Sequence, residues 1–359
     1  STPGHEEIEI ALLRLYQVTG NDSYLDLAER FLERRGRIKA FGPKLVLQNR
    51  DVGKRTAGVA ARRAEHLANH PEAEGAELPA TNRAPQPPGI QLRFLASAFS
   101  GKYFQQHRPV RKQTTPVGHA VRFAYLETAL AKLVRERGDE TLLPAMEKAW
   151  EHMVNRRMYV TGGIGSPPRI EGFGRDYELD PEVAYAETCA ALGCMFWNWE
   201  MTLVTRQAKY ADLFEWQLYN AAAVGMGIEG TAYLYNNPLV CRGDVTRQPW
   251  YEVPCCPSNL SRTFASLARY AYSYKDRAIW VHQYFGSETS VPLENPVKLE
   301  MTSALPWQGR VRLELTPTAP TTFDLHLRVP SWADGCTLIL DGVPCDLKNT
   351  SRSMSKGEE

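Results

Sequence analysis

The spacing of apolar residues along this chain changes once, from a period near 3.6 to a period of two. Ile8, Leu12, Leu15 and Tyr16 share one face, which predicts a helix opening at Gly4-His5-Glu6-Glu7. Asn21-Asp22-Ser23 offers caps for a second helix, Tyr24 to about Arg35, stopped by Gly36. Val121, Tyr125, Leu126, Ala129, Leu130 and Leu133 form another face behind His119; Gly138-Asp139-Glu140 breaks it, and Leu142 to about Arg156 forms its partner. Antiparallel helices joined by a short turn are the repeating unit of an α/α toroid. Glu182 to Val204, dense in Ala, Leu, Met and Trp, predicts a long helix, and Tyr210 to Gly225 another. Ser258 caps one more, running through Leu260, Phe264, Leu267 and Ala268 to Tyr272.

From Ala278 the alternation is strict. Ile279 to Tyr284, Val297 to Met301, Val311 to Leu315, Phe323 to Val329 and Thr337 to Leu340 read as strands of a β-sandwich. The expected fold class is therefore mainly α: a partial (α/α)6 toroid over residues 1–276, then an incomplete β-sandwich over 277–350. Residues 37–100 fit neither pattern. Arg50 to Arg63 is basic without periodicity, and Glu72 to Gly89 is rich in Pro, Ala and Glu, so the region reads as a loop or flexible insertion with no assigned function.

Composition narrows the class. With 359 residues, 43% of them hydrophobic, and a net charge of +1, there is ample material for a core and no electrostatic reason to expect a nucleic acid or an anionic membrane as partner. No apolar run reaches the length of a membrane span, and the first residues do not read as a signal peptide. Seven cysteines, an odd number in a long chain, argue for reduced thiols and a cytoplasmic compartment rather than a disulfide framework.

Those thiols carry the candidate chemistry. Glu187 and Cys189 lie two apart in Tyr185-Ala186-Glu187-Thr188-Cys189, and Cys255 and Cys256 are adjacent between Pro254 and Pro257. Three thiols and one carboxylate are four ligands of the kind zinc takes in a tetrahedral site. The bland alternative is that each cysteine is a small buried hydrophobe, and Cys194 reads that way. Gly162-Gly163-Ile164-Gly165 lacks the Lys-Ser/Thr and βαβ frame of a phosphate loop, so a turn beside a sugar site is the better reading. Glu171, Asp176, Glu178, Asp180 and Glu182 crowd the loop that follows.

Four stretches in order, Val117-Gly118-His119-Ala120-Val121-Arg122, Val160 to Gly165, Ala184 to Cys189 and Cys255-Cys256-Pro257-Ser258-Asn259, together resemble the retaining β-L-arabinofuranosidases of glycoside hydrolase family 127, in patches from Gly4 to about Pro330. The resemblance implies a zinc ion held by Glu187, Cys189, Cys255 and Cys256. It implies Cys255 as the nucleophile and Glu171 as the acid/base, although the Gly174-Arg175-Asp176 spelling after Phe173 departs from the commoner family form. It also implies His5, His119, Glu215 and Tyr235 as contacts to sugar hydroxyls. On pattern alone His5 and His119 are cap or surface histidines, Glu215 a solvated or internally bonded acid, and Tyr235 a strand aromatic. The implied ligand is a carbohydrate, with room for a homodimer. Two other classes stay open: a zinc-stabilised carbohydrate-binding or scaffold protein without turnover, and a lyase or epimerase on the same toroid.

The two ends add one expectation. The first helix has nothing before it to pack on, so an N-terminally truncated piece is expected. Ser351-Arg352-Ser353 reads like a cloning junction, and Met354 to Glu359 resembles the opening of green fluorescent protein, so residues 351–359 read as a fusion scar outside the fold.

Overall fold

The computed structural model describes residues 3–69, 88–243 and 245–345. The chain divides into two compact units, Ser1–Glu200 with Trp216–Ser261 and Met201–Glu215 with Arg262–Glu359. The suspected junction at 351–359 and most of the Pro/Ala/Glu-rich stretch lie outside the described residues.

The first unit is helical, and its elements follow from sequence. Helices α1 (Glu7–Thr19) and α2 (Asp22–Arg34) form a hairpin. Gly20 ends α1 in the left-handed region, φ 66°, where a side chain would be strained, and Asn21 Oδ1 accepts from the Ser23 amide at 3.0 Å to start α2. Leu12, Leu13, Leu25 and Leu32 bury the facing sides. Between them Arg35, itself buried, donates to Glu6 at 2.6 Å and Glu9 at 3.0 Å. Burying a guanidinium requires such partners, so the triad fixes how the two helices meet.

Helix α5 (Ala120–Arg137) is buried over most of its length and pairs with α6 (Leu143–Arg156) after the turn at Gly138. Helix α7 (Thr188–Thr205) carries Glu200, which accepts from Lys132 at 2.8 Å and Arg135 at 2.7 Å of α5. Helix α8 (Ala208–Gln217) continues into a π-helical turn, Leu218–Ala222, and a 3-10 turn, Ala223–Gly225, and so covers the span expected for one helix. The loop expected over 37–100 is corrected: α3 spans Phe41–Asn69 and α4 spans Ile90–Phe99. Ala, Arg, Lys, Gln and Leu have high helix propensity, and here they form helix without a clean apolar stripe.

In the second unit β1 (Tyr272–Lys275), β2 (Ala278–Val281) and β6 (Asp324–Leu327) make one sheet, with β2 and β6 parallel. The antiparallel meander β3 (Ser287–Val291), β4 (Val297–Ala304), β5 (Gln308–Pro317) makes another. Ile279 and Val281 of β2 share one core with Val291, Val297, Leu299 and Met301 of β3 and β4. Two sheets on one core make a sandwich. A short hairpin, β7 (Leu338–Leu340) with β8 (Val343–Cys345), follows. The fold class expected from periodicity holds: mainly α, helical hairpins first, a β-sandwich after.

One buried acid in α5 makes stability depend on pH. Glu127 is 1% exposed, its Oε2 has no hydrogen-bond partner, and burial pushes its carboxyl up to about 8. A folded-state value above the unfolded one, about 4.3, means the native form binds the proton more tightly. That stability is full below the unfolded value and is lost as pH rises through the folded one, at up to about 1.4 kcal/mol per pH unit. Glu127→Gln, a neutral isostere, is expected to match the parent near pH 5 in thermal unfolding and to exceed it by several degrees at pH 8. Parallel profiles over that range would contradict the assignment.

Candidate functional site

Two local backbone features bring the expected donors together. The helix expected from Glu182 begins instead at Thr188, and the residues before it form no helix. Ala186 takes φ 34°, and Glu187 forms an antiparallel bridge with Asn236. The Thr188 amide donates to the Tyr235 carbonyl at 3.0 Å, the Thr188 hydroxyl to Leu234 O at 2.8 Å, and Asn237 Nδ2 to Ala186 O at 2.9 Å. The turn into α7 is thus tied to the 234–237 segment, so Glu187, before the helix, and Cys189, in its first turn, face one point.

The second feature is α9, which spans Cys255–Phe264 and starts at Cys255 rather than at the expected Ser258 cap. Pro254 precedes it and Pro257 occupies its first turn, where proline loses no hydrogen bond. Ser258 Oγ instead donates back to Pro254 O at 2.7 Å. Both thiols therefore stand at a helix N-terminus, a setting that favours thiolate.

The four donors converge. Cys189 Sγ is 3.3 Å from Cys256 Sγ, Cys255 Sγ is 4.0 Å from Cys256 Sγ, and Glu187 Oε1 is 3.7 Å and 3.8 Å from Cys255 and Cys256. All four ligand atoms lie within 4.8 Å of one another. A tetrahedron with metal–sulfur bonds of about 2.3 Å has sulfur–sulfur edges of about 3.8 Å, so the group fits a metal ion. Glu187 Oε2 is buried without a partner, as expected of a carboxylate held for a cation. Burial and the charges of Cys255 and Glu171 push Glu187 well above the usual carboxylate range. Hydrogen bonds from Cys189 and Cys256 hold the Cys255 thiol far below its ordinary value, while burial raises Cys189 and Cys256. Cys255 is also the one partly exposed member of the group.

Tyr235 joins this group. Its hydroxyl lies 3.2 Å from Cys255 Sγ, within hydrogen-bonding distance, and its amide donates to Tyr251 Oη at 3.2 Å. Cys194 stays in the core, its thiol pushed up to about 12 by burial.

Glu171 is carried by a loop stapled to the start of α5. Gly172 bridges His119, the Ala120 amide donates to Glu171 O at 2.9 Å, and the Phe173 amide donates to Gly118 O at 2.9 Å. A Cβ on Gly172 would sit 1.8 Å from Gly118 O, so only glycine permits this approach. Glu171 itself takes φ 52°, a left-handed conformation costing about 1–2 kcal/mol in a non-glycine residue. His119 occupies the N-cap position of α5, but its ring makes no cap bond; Nε2 lies 3.2 Å from Glu171 Oε2. Burial lowers His119 against the pull of Glu171. A neutral ring giving its Nε2 proton to the carboxylate leaves Nδ1 a bare acceptor, and Nδ1 is a buried atom without a partner.

His5 packs its ring 5.5 Å from that of Tyr125, whose hydroxyl accepts from Asn259 Nδ2 at 3.0 Å. The same amide lies 3.0 Å from Cys189 Sγ. Asn259 was given no role in the sequence reading, although its place four residues after Cys255 puts it on the same face of α9. Glu215 belongs to the second unit, where its carboxylate accepts from Arg328 at 2.9 Å and from Trp332 Nε1 at 2.7 Å. Those bonds account for its burial, and they favour the internally bonded alternative over a sugar contact.

The chain is similar to known proteins along nearly its whole length. Residues 1–269 match the family model described as beta-L-arabinofuranosidase, GH127 catalytic domain, and residues 278–355 match the GH127 middle domain. A non-reducing end beta-L-arabinofuranosidase of Bifidobacterium longum subsp. longum is 31% identical over 358 residues, covering 95% of this chain and 48% of that protein. A GH127 beta-L-arabinofuranosidase structure from Geobacillus stearothermophilus T6 superposes with a TM-score of 0.79 at 34% identity, covering 99% of this chain and 52% of the other. A second GH127 beta-arabinofuranosidase structure gives 0.77 at 29% identity, covering 99% and 50%. The chain spans about half the length of these relatives. With its fold, its paired-cysteine helix start and the match over its helical part all in agreement, this chain belongs to glycoside hydrolase family 127.

Proposed function

We propose that this chain is the catalytic part of a retaining glycoside hydrolase that releases β-linked L-arabinofuranose, with Cys255 as nucleophile, Glu171 as acid/base, and zinc as the ion held by Glu187, Cys189, Cys255 and Cys256. The observation that carries the reading is that Cys255 alone in the four-donor group is partly exposed, with hydrogen bonds from its neighbours pulling its thiol below the ordinary value. The activity in the names of the relatives points the same way.

Zinc, when bound, supplies a charge that keeps its thiol ligands deprotonated at neutral pH. Everything else falls to side chains. Cys255 Sγ attacks the anomeric carbon as Glu171 gives its proton to the glycosidic oxygen, so a carbon–sulfur bond forms and the carbon–oxygen bond breaks. Glu171, now ionised, takes a proton from water, whose oxygen displaces Cys255 Sγ and releases the sugar with its configuration retained. His119 orients the Glu171 carboxylate through its 3.2 Å contact. Tyr235 keeps its hydroxyl 3.2 Å from the attacking sulfur, and with His5 and His119 it provides polar groups for furanose hydroxyls.

Glu171→Gln separates the two steps. On an alkyl arabinofuranoside its turnover should fall by about a hundredfold or more. On a nitrophenyl arabinofuranoside, whose leaving group needs no proton, it should release a burst of about one equivalent of nitrophenolate and then turn over slowly, because only the second step still needs the base. Equal losses on both substrates without a burst would remove Glu171 from this role.

Metal analysis tests the ion. Protein purified without chelators is expected to hold about one zinc per chain. Cys189→Ser should lower that content by half or more, and Cys194→Ser should leave it unchanged. Zinc-free protein, or equal loss in both variants, would overturn the ligand set.

A further inference from the structure

The loop around Glu171 has no regular structure from Pro167 to Asp180, and its key residue sits in a strained conformation, so something outside the loop must hold it. Three elements do. The start of α5 holds its backbone, as described above. From α6, His152 and its neighbours Arg156 and Arg157 converge on Asp176 at 2.8, 3.2 and 2.7 Å, and Arg156 O accepts from the Tyr177 amide at 2.9 Å.

The third is α4, part of the region to which the sequence reading gave no function. Arg93 donates both terminal nitrogens to Glu178, at 2.6 and 2.8 Å, and Glu178 Oε2 also accepts from the Arg175 amide at 2.7 Å. Arg169 Nε donates to Gln91 Oε1 at 2.9 Å, and the Arg169 guanidinium lies 5.2 Å over the ring of Phe94. These contacts bracket Glu171, two residues before it and seven after. Phe94 also meets Tyr103 edge-on at 5.1 Å, and Tyr103 meets His119 at 5.6 Å. One surface helix therefore reaches both members of the Glu171–His119 pair.

We propose that Arg93 is a positioning residue for the acid/base: its two-pronged bond to Glu178, with the Gln91 and Phe94 contacts to Arg169, clamps the loop so that Glu171 keeps its strained backbone and its bond to His119. This rests on the reading of Glu171 as acid/base. Arg93 and Glu178 are 31% and 35% exposed, and an ion pair that open adds little to global stability. Its effect is local, on the loop it fastens. The planar fork of arginine suits the task, since two parallel bonds fix orientation as well as distance, which a single lysine bond does not.

The test compares Arg93→Ala and Arg93→Lys with the parent in two ways. In amide hydrogen exchange, peptides covering 169–178 should exchange about tenfold faster in Arg93→Ala, with α5 and α6 unchanged, and Arg93→Lys should fall between. In kinetics, Arg93→Ala should lower kcat on an alkyl arabinofuranoside by about tenfold at unchanged KM and cost less than about twofold on the first step with a nitrophenyl arabinofuranoside, because only the proton donor is misplaced. Unchanged exchange in the 169–178 peptides, or equal losses on the two substrates, would overturn the proposal. If the parent turns over neither substrate, the functional reading fails, and the exchange comparison alone decides whether the clamp exists. Should Arg93→Ala lose protection in every helix, Gln91→Ala, which removes the partner of Arg169, is read by the same two criteria.

Discussion

A carboxylate and two thiols buried together are the constraint on which the first unit depends. Glu187, Cys189 and Cys256 are 2%, 1% and 0% exposed, and Cys255 stands beside them at the mouth of the group. An isolated buried carboxylate is costly, and negative charge on the nearby Cys255 raises the cost further. Such a group persists where the backbone holds it and a cation balances it. The backbone part is visible in the bridge of Glu187 to Asn236, the bonds of Thr188 to the 234–237 segment, and the proline-flanked start of α9. These anchors combine main-chain bonds with the Thr188 hydroxyl and the Asn237 amide, and together they fix where four donor atoms stand. A site built this way is preorganised, with little left to order when its ion or substrate arrives.

Near this group the Glu171–His119 pair is held by a different principle. Glu171 owes its position to a loop threaded against the glycine at 172 and the N-cap of α5, at the expense of local strain. His119 then reads the position of the carboxylate through one nitrogen and leaves the other facing inward as an acceptor. The two parts of the site thus come from opposite kinds of structure: helix starts for the cysteines, and an irregular segment fastened from three sides for Glu171.

How much of this the sequence discloses depends on which physical signal each element carries. Helices α1, α2 and α6 bury one stripe, α5 is buried nearly all round but rich in helix-spaced apolar residues, and β3 to β5 alternate in burial, so periodicity finds them. Helices α3 and α4 carry helix-forming residues without a stripe: Leu47, Leu92, Leu95 and Phe99 are all exposed. A search for burial patterns misses them, and with them the clamp on Glu171. The start of α7 was drawn too early because Ala184 and Tyr185 are as apolar as the helix that follows, and what stops the helix there is a long-range bridge to Asn236 that no local window contains. The four donors were legible as residue types, and the paired-cysteine spacing drew attention to them. Their convergence was not, since Glu187 and Cys189 on one continuous helix would point apart. Glu215 shows the reverse case. A charged residue between Phe214 and Trp216 reads equally as a sugar contact or as an internal anchor, and the partners Arg328 and Trp332, more than a hundred residues away, favour the anchor.

The central claim is that the exposed member of the thiol group, Cys255, is the atom that attacks the sugar. An electrophilic arabinofuranose analogue that alkylates the enzyme nucleophile, followed by peptide mass mapping, tests it most directly. The account predicts a single label on Cys255, blocked by free arabinose and absent from Cys256 and Cys189, which are buried behind it. A label on Cys256, or on a carboxylate such as Glu171, would contradict it.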